Sequence, residues 1–205
     1  MANVETVRIG ILGAARIAPG ALIQPARAVP EALVVTIAAR HFPRARAFAT
    51  RHGIPRVHET YQAVLDDSEV DAIYNPLPNS LHGEWTIRAL RAGKHVLCEK
   101  PLASNAEEAQ RMAAAAEDSG RVLVEAFHYR YHPLALRMKG IVDSGELGEV
   151  CHLEAHFCVP LINPRDIRYR YELAGGATMD LGCYCINLIR YLAVLNPKSP
   201  MLMRV

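Results

Sequence analysis

Apolar positions along this chain fall into two alternating rhythms. Val7, Ile9 and Ile11 open the series, followed by Leu33-Val34-Val35-Thr36-Ile37-Ala38-Ala39, Ala72-Ile73-Tyr74, His95-Val96-Leu97-Cys98 and Val122-Leu123-Val124. Short, nearly unbroken apolar runs are the pattern of strands covered on both faces. The intervening segments carry helical spacing and helical ends. Leu81, Trp85 and Ala89 recur every fourth residue, with Asn79 placed to cap and Gly93 to close. Ser104 and Glu107 have the spacing of a capping box, and their helix runs through Met112 and Ala116 to Gly120. Alternation of such strands and helices predicts parallel βαβ units and a doubly wound α/β sheet.

The rhythm changes after about Ala126. Pro133 to Val142 reads as one more helix, ended by Ser144-Gly145. Cys151, Leu153, Ala155, Phe157 and Val159 then alternate with His152, Glu154, His156 and Cys158, the period of a strand with one wet face. A proline-bearing loop (Pro160, Pro164) leads to a helix from about Gly176 to Ala193, whose Leu181, Cys185, Leu188 and Leu192 form a stripe expected to cover that strand's sheet. The expected organisation is a nucleotide-binding domain over 1–126 and an incomplete α+β substrate domain over 127–205. One strand is not a sheet.

Composition narrows the partners. A 205-residue chain with 51% hydrophobic content can form one large or two small cores. A formal net charge of +2 and a pI near 8.3 are too mild for a nucleic-acid partner, and only Arg40, Arg44, Arg46 and Arg51 cluster. No apolar run reaches bilayer length and the N-terminus lacks a signal-peptide core, so no membrane association is expected. The five cysteines lack framework spacing and read as reduced thiols, which predicts a cytoplasmic protein.

Two places carry chemistry. Gly10-Ile11-Leu12-Gly13-Ala14-Ala15-Arg16-Ile17-Ala18 ends the first strand and opens the first helix, matching a Rossmann dinucleotide fingerprint as Gly13-x-Ala15-x-x-Ala18. Ala15 stands where the middle glycine allows closest approach to pyrophosphate; small residues kept for packing alone are the bland alternative. After the second strand the chain has Ala39-Arg40-His41 and no acid. An NAD site wants a carboxylate there, whereas Arg40 can fork onto a 2′-phosphate, so NADP is expected over NAD.

The second place is Lys100, in Cys98-Glu99-Lys100-Pro101 at the end of an apolar strand. Ligands of open α/β sheets bind at carboxyl strand ends. Asn75-Pro76-Leu77-Pro78-Asn79, with His82 beyond, and Glu125 to Pro133 occupy similar positions, and Asp180 and Tyr184 share one helix face. Each has a plainer reading: a loop lysine, a core tyrosine, a first-turn histidine. His152 and His156 lie about 13 Å apart along a strand, too far for one ion. Cys183-x-Cys185 lacks a second ligand pair and reads as buried thiols. No metal site is expected.

The Gly13 turn, Glu99-Lys100-Pro101 and Asp180-Leu181-Gly182-Cys183-Tyr184, in this order and spacing, resemble the glucose–fructose oxidoreductase/inositol dehydrogenase/MocA (Gfo/Idh/MocA) family from Thr6 to about Leu195. Tyr184, together with Arg130-Tyr131-His132-Pro133, is similar to members acting on aldoses or dihydrodiols. The resemblance implies NAD(P)-dependent hydride transfer at a hydroxyl of a sugar, cyclitol or dihydrodiol, with Lys100, Tyr184 and Asp180 catalytic. Cofactor contacts are expected from Gly10, Gly13, Ala14, Ala15, Arg16, Ile17, Arg40, Pro76, Leu77, Asn79, His82, Glu99 and Lys100. Tyr184 would be the acid/base, its phenol pKa lowered from about 10 by the Lys100 ammonium. Family members are longer and are expected to be homo-oligomers. The chain is therefore expected to be a fragment of such an enzyme, or a shortened nucleotide-binding module with little or no turnover.

Overall fold

A computed structural model describes residues 6–193, so the ends of both expected domains, 1–5 and 194–205, lie outside the described residues. Six parallel strands form the sheet: β1 (Val7–Leu12), β2 (Ala32–Ala38), β3 (Arg56–His58), β4 (Ala72–Asn75), β5 (His95–Cys98) and β6 (Leu123–Glu125). Their spatial order is β3-β2-β1-β4-β5-β6, the order of the dinucleotide-binding doubly wound fold. Strand order reverses between β1 and β4, and in this topology ligands bind beyond the carboxyl ends of the strands at that point.

Among the described residues seven α-helices accompany the strands: α1 (Gln24–Ala26, continuing a π-helical turn over Pro19–Ile23), α2 (Phe42–His52), α3 (Tyr61–Leu65), α4 (His82–Arg91), α5 (Ala106–Ser119), α6 (Pro133–Ser144) and α7 (Cys183–Ala193). Successive strand residues point to opposite faces, so Ile11 and Leu12 enter different cores. Leu12 joins Val64, Leu65, Leu90 and Met112 under α3, α4 and α5, while Ile11 joins Leu22, Ile37, Ala45 and Tyr74 under α1 and α2. Both faces are covered, as the unbroken apolar runs require.

Asn79 does not cap α4, whose N-cap is Leu81 with no side-chain hydrogen bond, because a 3₁₀ turn over Asn79–Leu81 intervenes. Three further local expectations change. The short β3 has too few residues to show a period. The α5 cap is Asn105, one residue beyond Ser104: its side chain accepts from Glu108 N at 2.8 Å, and Glu108 Oε2 accepts from Ser104 N at 2.7 Å. The box therefore closes through Glu108 instead of Glu107. The third change concerns 151–159, which takes no regular secondary structure and pairs with no strand among the described residues. A strand exists only through ladder hydrogen bonds, and 127–193 contains no second segment to supply them. Phe157, Val159 and Ile162 stay exposed, and the Leu181–Leu192 stripe meets α6 where a sheet was expected.

Candidate active site

The Gly13 turn is shaped by a backbone that only glycine enters without strain. Gly13 has φ +87°, and a Cβ there would stand 2.9 Å from Leu77 Cδ2, so the turn folds tightly over the β4 loop. Its N–H donates to Ala38 O at 2.6 Å, and Arg44 Nη2 donates to Ala14 O at 2.9 Å. Among the described residues nothing accepts from the backbone N–H groups of Ala14, Ala15, Arg16 or Ile17. Unpaired donors in a turn before a helix form an anion cradle, and these residues fit a dinucleotide pyrophosphate. Gly10 has a different task. Its Cα is covered by α3, and a Cβ would lie 2.6 Å from Val64 Cγ1. Arg40 follows β2 with an exposed guanidinium that bonds to no described residue, and Ile17 is exposed at the same rim.

The β4 and β5 loops are joined from beneath. Asn75 is fully buried and donates to His82 O (3.3 Å) and Thr86 Oγ1 (3.1 Å). His82, also fully buried, sets Nε2 2.8 Å from Leu77 O and Nδ1 2.8 Å from Pro101 O. It is a brace between the two loops, and burial pulls its pKa down against those carbonyls and the nearby Glu99 and Glu108. Pro76 and Leu77 are buried under the turn, and Asn79 donates its side-chain amide to Ala174 O at 2.8 Å. Tyr74 donates its hydroxyl to Glu99 Oε1 at 2.7 Å, which fixes Glu99 beside the β4 end.

Lys100 leaves β5 through a cis peptide to Pro101. Its ammonium donates to Asp180 O at 2.7 Å and Asp180 Oδ1 at 3.1 Å, and lies 4.6 Å from the centroid of the Tyr184 ring. The anticipated triad therefore meets in space. Around Tyr184 pack Phe127, Tyr129 and Phe157, with centroids 5.4, 6.0 and 5.5 Å away. The expected lowering of the Tyr184 pKa is corrected: burial, then the charges of Glu99 and other neighbours, push it above the ordinary phenol value. Lys100 sits on the ring face, where it stabilises the neutral π system as well as any phenolate.

Asp180 also has a partner that the motifs did not announce. Arg168 Nε donates to Asp180 Oδ2 at 2.7 Å, and Arg168 Nη1 to the buried Asp166 at 3.2 Å. Asp166 in turn meets Arg16 of the Gly13 turn at 3.2 Å. The one sequence signal for this loop is Gly175-Gly176, since a Cβ on Gly175 would lie 2.7 Å from Arg168 O. No group of three potential metal ligands occurs among the described residues, and Cys183 and Cys185 are half-buried free thiols.

Residues 7–127 match the profile of an oxidoreductase family with an NAD-binding Rossmann fold, and 135–202 match the GFO/IDH/MocA C-terminal domain. The chain belongs to the GFO/IDH/MocA family. It is 44% identical over 182 residues to D-xylose 1-dehydrogenase (NADP(+)) 2 of Haloferax volcanii, covering 88% of this chain and 55% of that protein. It is 42% identical over 186 residues to dTDP-3,4-didehydro-2,6-dideoxy-alpha-D-glucose 3-reductase of Actinomadura kijaniata, covering 91% and 56%. A crystal structure of a 3-ketoreductase from Actinomadura kijaniata with NADP and TDP-benzene superposes with a TM-score of 0.86, at 39% identity, over 92% of this chain and 58% of that one. Solved variants of that enzyme replace a tyrosine by phenylalanine, or a lysine by alanine or glutamate. The chain thus spans a little over half the length of these GFO/IDH/MocA relatives. Among the described residues no helix is long and apolar enough to cross a membrane.

Proposed function

We propose that the chain holds the cofactor site and proton-handling site of an NADP-dependent oxidoreductase acting at a carbonyl or secondary hydroxyl of a sugar, cyclitol or diol. The observation that carries this reading is the Lys100 ammonium, held by Asp180 against the Tyr184 ring just beyond the carboxyl end of β5. The unpaired N–H groups after Gly13 and the free Arg40 guanidinium support NADP as the dinucleotide, with its pyrophosphate on the turn and its 2′-phosphate at Arg40. NADP(+) in the Haloferax volcanii dehydrogenase and NADP in the Actinomadura kijaniata ketoreductase support the same assignment.

When bound, the dinucleotide supplies a hydride to the carbonyl carbon or accepts one from the carbinol carbon. The protein supplies the proton and the field. An ammonium has three donors, and Lys100 spends two on Asp180, leaving one for the substrate oxygen as charge develops there. Tyr184 stays protonated, so its hydroxyl delivers the proton that completes reduction. Residues 127–205 are read as the start of the substrate domain.

The exposed 151–162 segment supports a second reading, in which the chain binds nucleotide without closing a substrate pocket. Fluorescence titration with NADPH and NADH, followed by NADPH oxidation against a panel of keto sugars, aldoses, cyclitols and diols, decides between them. NADPH binding with turnover is the expected result. Binding without turnover on any member supports the second reading, and no binding of either nucleotide defeats both.

A further inference from the structure

Five charged side chains form an unbroken line from the dinucleotide turn to the lysine. Arg16 Nη2 meets Asp166 Oδ2 at 3.2 Å, Asp166 Oδ1 meets Arg168 Nη1 at 3.2 Å, Arg168 Nε meets Asp180 Oδ2 at 2.7 Å, and Asp180 Oδ1 meets Lys100 Nζ at 3.1 Å. Signs alternate along the line, and each carboxylate gives one oxygen to each neighbour. The first three members, Arg16, Asp166 and Arg168, line an open cleft of about 520 Å³ between the Gly13 turn and the 160–168 loop. We propose that Arg168 is a positioning residue: by forking between Asp166 and Asp180 it sets the carboxylate that holds Lys100, and it ties that carboxylate to the turn that receives the cofactor.

Three observations outside the ion pairs carry this. Asp166 keeps 7% of its surface exposed, so its charge has been taken out of water and has to be matched by the two arginines. Its remaining bond also goes to Arg168, whose backbone N–H donates to Asp166 Oδ1 at 3.0 Å. The backbone of the Arg168 loop is itself clamped to the start of the Asp180 helix. Gly176 N donates to Arg168 O at 2.7 Å and Gly175 N to Arg170 O at 3.0 Å. A merely solvating arginine would need no such anchorage. The fork also explains the residue type, because Nε and Nη1 present two donors at fixed separation, whereas a lysine offers a compact charge on a flexible stem with no fixed spacing to set the two carboxylates.

The inference rests on the oxidoreductase reading for its kinetic arm and is independent of it for its spectroscopic arm. Arg168→Met and Arg168→Lys are compared with wild type, with Arg170→Met as control, since among the described residues the Arg170 side chain pairs only with Glu172 at the surface. In both Arg168 variants kcat is expected to fall by about 10- to 100-fold, the scale of a misplaced reacting group, with NADPH affinity within about twofold of wild type. In Arg168→Ala, guanidinium added below unfolding concentrations recovers part of the lost kcat.

For the second arm, the chain has four lysines, so isotope-labelled dimethyl-lysine resonances are few and Lys100 is assigned by its loss in Lys100→Arg. Arg168→Met is expected to move the Lys100 resonance and Arg170→Met to leave it in place. An unmoved Lys100 resonance in a folded Arg168→Met protein overturns the inference, with or without turnover. So does an unchanged kcat in both Arg168 variants. A wild-type protein that turns over nothing defeats the oxidoreductase reading alone, and the Lys100 resonance still decides the role of Arg168.

Discussion

Lys100 rests on the face of the Tyr184 ring, 4.6 Å from its centroid, and no hydrogen bond joins the ammonium to the phenol oxygen. An ammonium in line with the hydroxyl would stabilise phenolate and prepare a base. An ammonium over the ring leaves the hydroxyl proton in place, and burial beside Glu99 and Asp180 retains it further. On the proposed reading the two residues divide the work: Lys100 would steady charge on the substrate oxygen, and Tyr184 would keep a proton to give.

The pH dependence of turnover follows from that division. A general acid works only while protonated, and the Tyr184 pKa is shifted upward. The rate of carbonyl reduction is expected to stay level with respect to Tyr184 from neutral pH to beyond about 10, the ordinary phenol value, and to fall above it. Tyr184→Phe should lower kcat by about 10²- to 10⁴-fold, the range of general acid catalysis, while NADPH affinity is kept. A descending limb centred below pH of about 9 that disappears in Tyr184→Phe would sink the assignment.

Arg40 is expected to govern the choice of dinucleotide. Its guanidinium is exposed beyond β2, and the chain places Ala39-Arg40-His41 where an NAD site would carry an acid. Charge-assisted hydrogen bonds contribute about 1.5–3 kcal/mol, so Arg40→Ala should weaken NADPH binding by roughly 10- to 100-fold. NADH, lacking the 2′-phosphate, should bind within about twofold of wild type. Titration of both nucleotides against both proteins checks this, and parallel losses for NADPH and NADH would place the 2′-phosphate elsewhere.

Gly175 and Gly20 predict opposite outcomes for the same substitution. A Cβ on Gly175 would sit 2.7 Å from Arg168 O and 2.8 Å from Arg170 O, both backbone atoms with little room to yield. Gly175→Ala should cost about 1–3 kcal/mol, as overpacking does. Gly20 lies in a helical turn with nothing within 4 Å of an added Cβ, so Gly20→Ala should be neutral or stabilise by up to about 1 kcal/mol. Urea unfolding of the two variants separates them.

Much of the dinucleotide-binding half was legible because its strands are buried on both faces, and continuous burial leaves an unbroken apolar signature in Leu33–Ala39 and His95–Cys98. The meeting of Lys100, Asp180 and Tyr184 was legible for a different reason: local rules place a strand end and an i, i+4 helical pair, but only the family resemblance of the motifs set one against the other. Arg168 was not, because it acts from an irregular segment in which no period links it to Asp180. The direction of the Tyr184 shift was hidden as well, since proximity to an ammonium can be guessed from motifs but burial and approach angle cannot. In 151–159 the alternation is real, yet a strand is a property of two segments and only one is present among the described residues. The cap at Asn105 illustrates competition at short range, where Ser104 and Asn105 are both competent and the backbone settles on the residue whose side chain reaches Glu108 N.

The end of the sheet remote from the site makes its own prediction. Arg8 and Asp71 lock β1 to the turn before β4: Arg8 Nε and Nη2 donate to Asp71 Oδ2 and Oδ1 at 2.9 and 2.7 Å, and Arg8 N donates to Oδ2 at 2.8 Å. The Arg8 side chain, foremost, brings the Asp71 pKa down to about 2. A carboxyl with a depressed folded-state pKa adds stability above its unfolded pKa, about 3.9, and loses it as pH falls through the folded value. Asp71→Asn should therefore lower Tm at neutral pH, modestly because the pair is partly exposed, and leave NADPH affinity unchanged. The gap between the two proteins should hold down to pH of about 4 and close between there and about 2. Thermal unfolding of wild type and Asp71→Asn across that range is the measurement. A gap that persists unchanged at the acid end would mean that Asp71 acts through packing or its backbone contact, with the carboxylate charge playing no part.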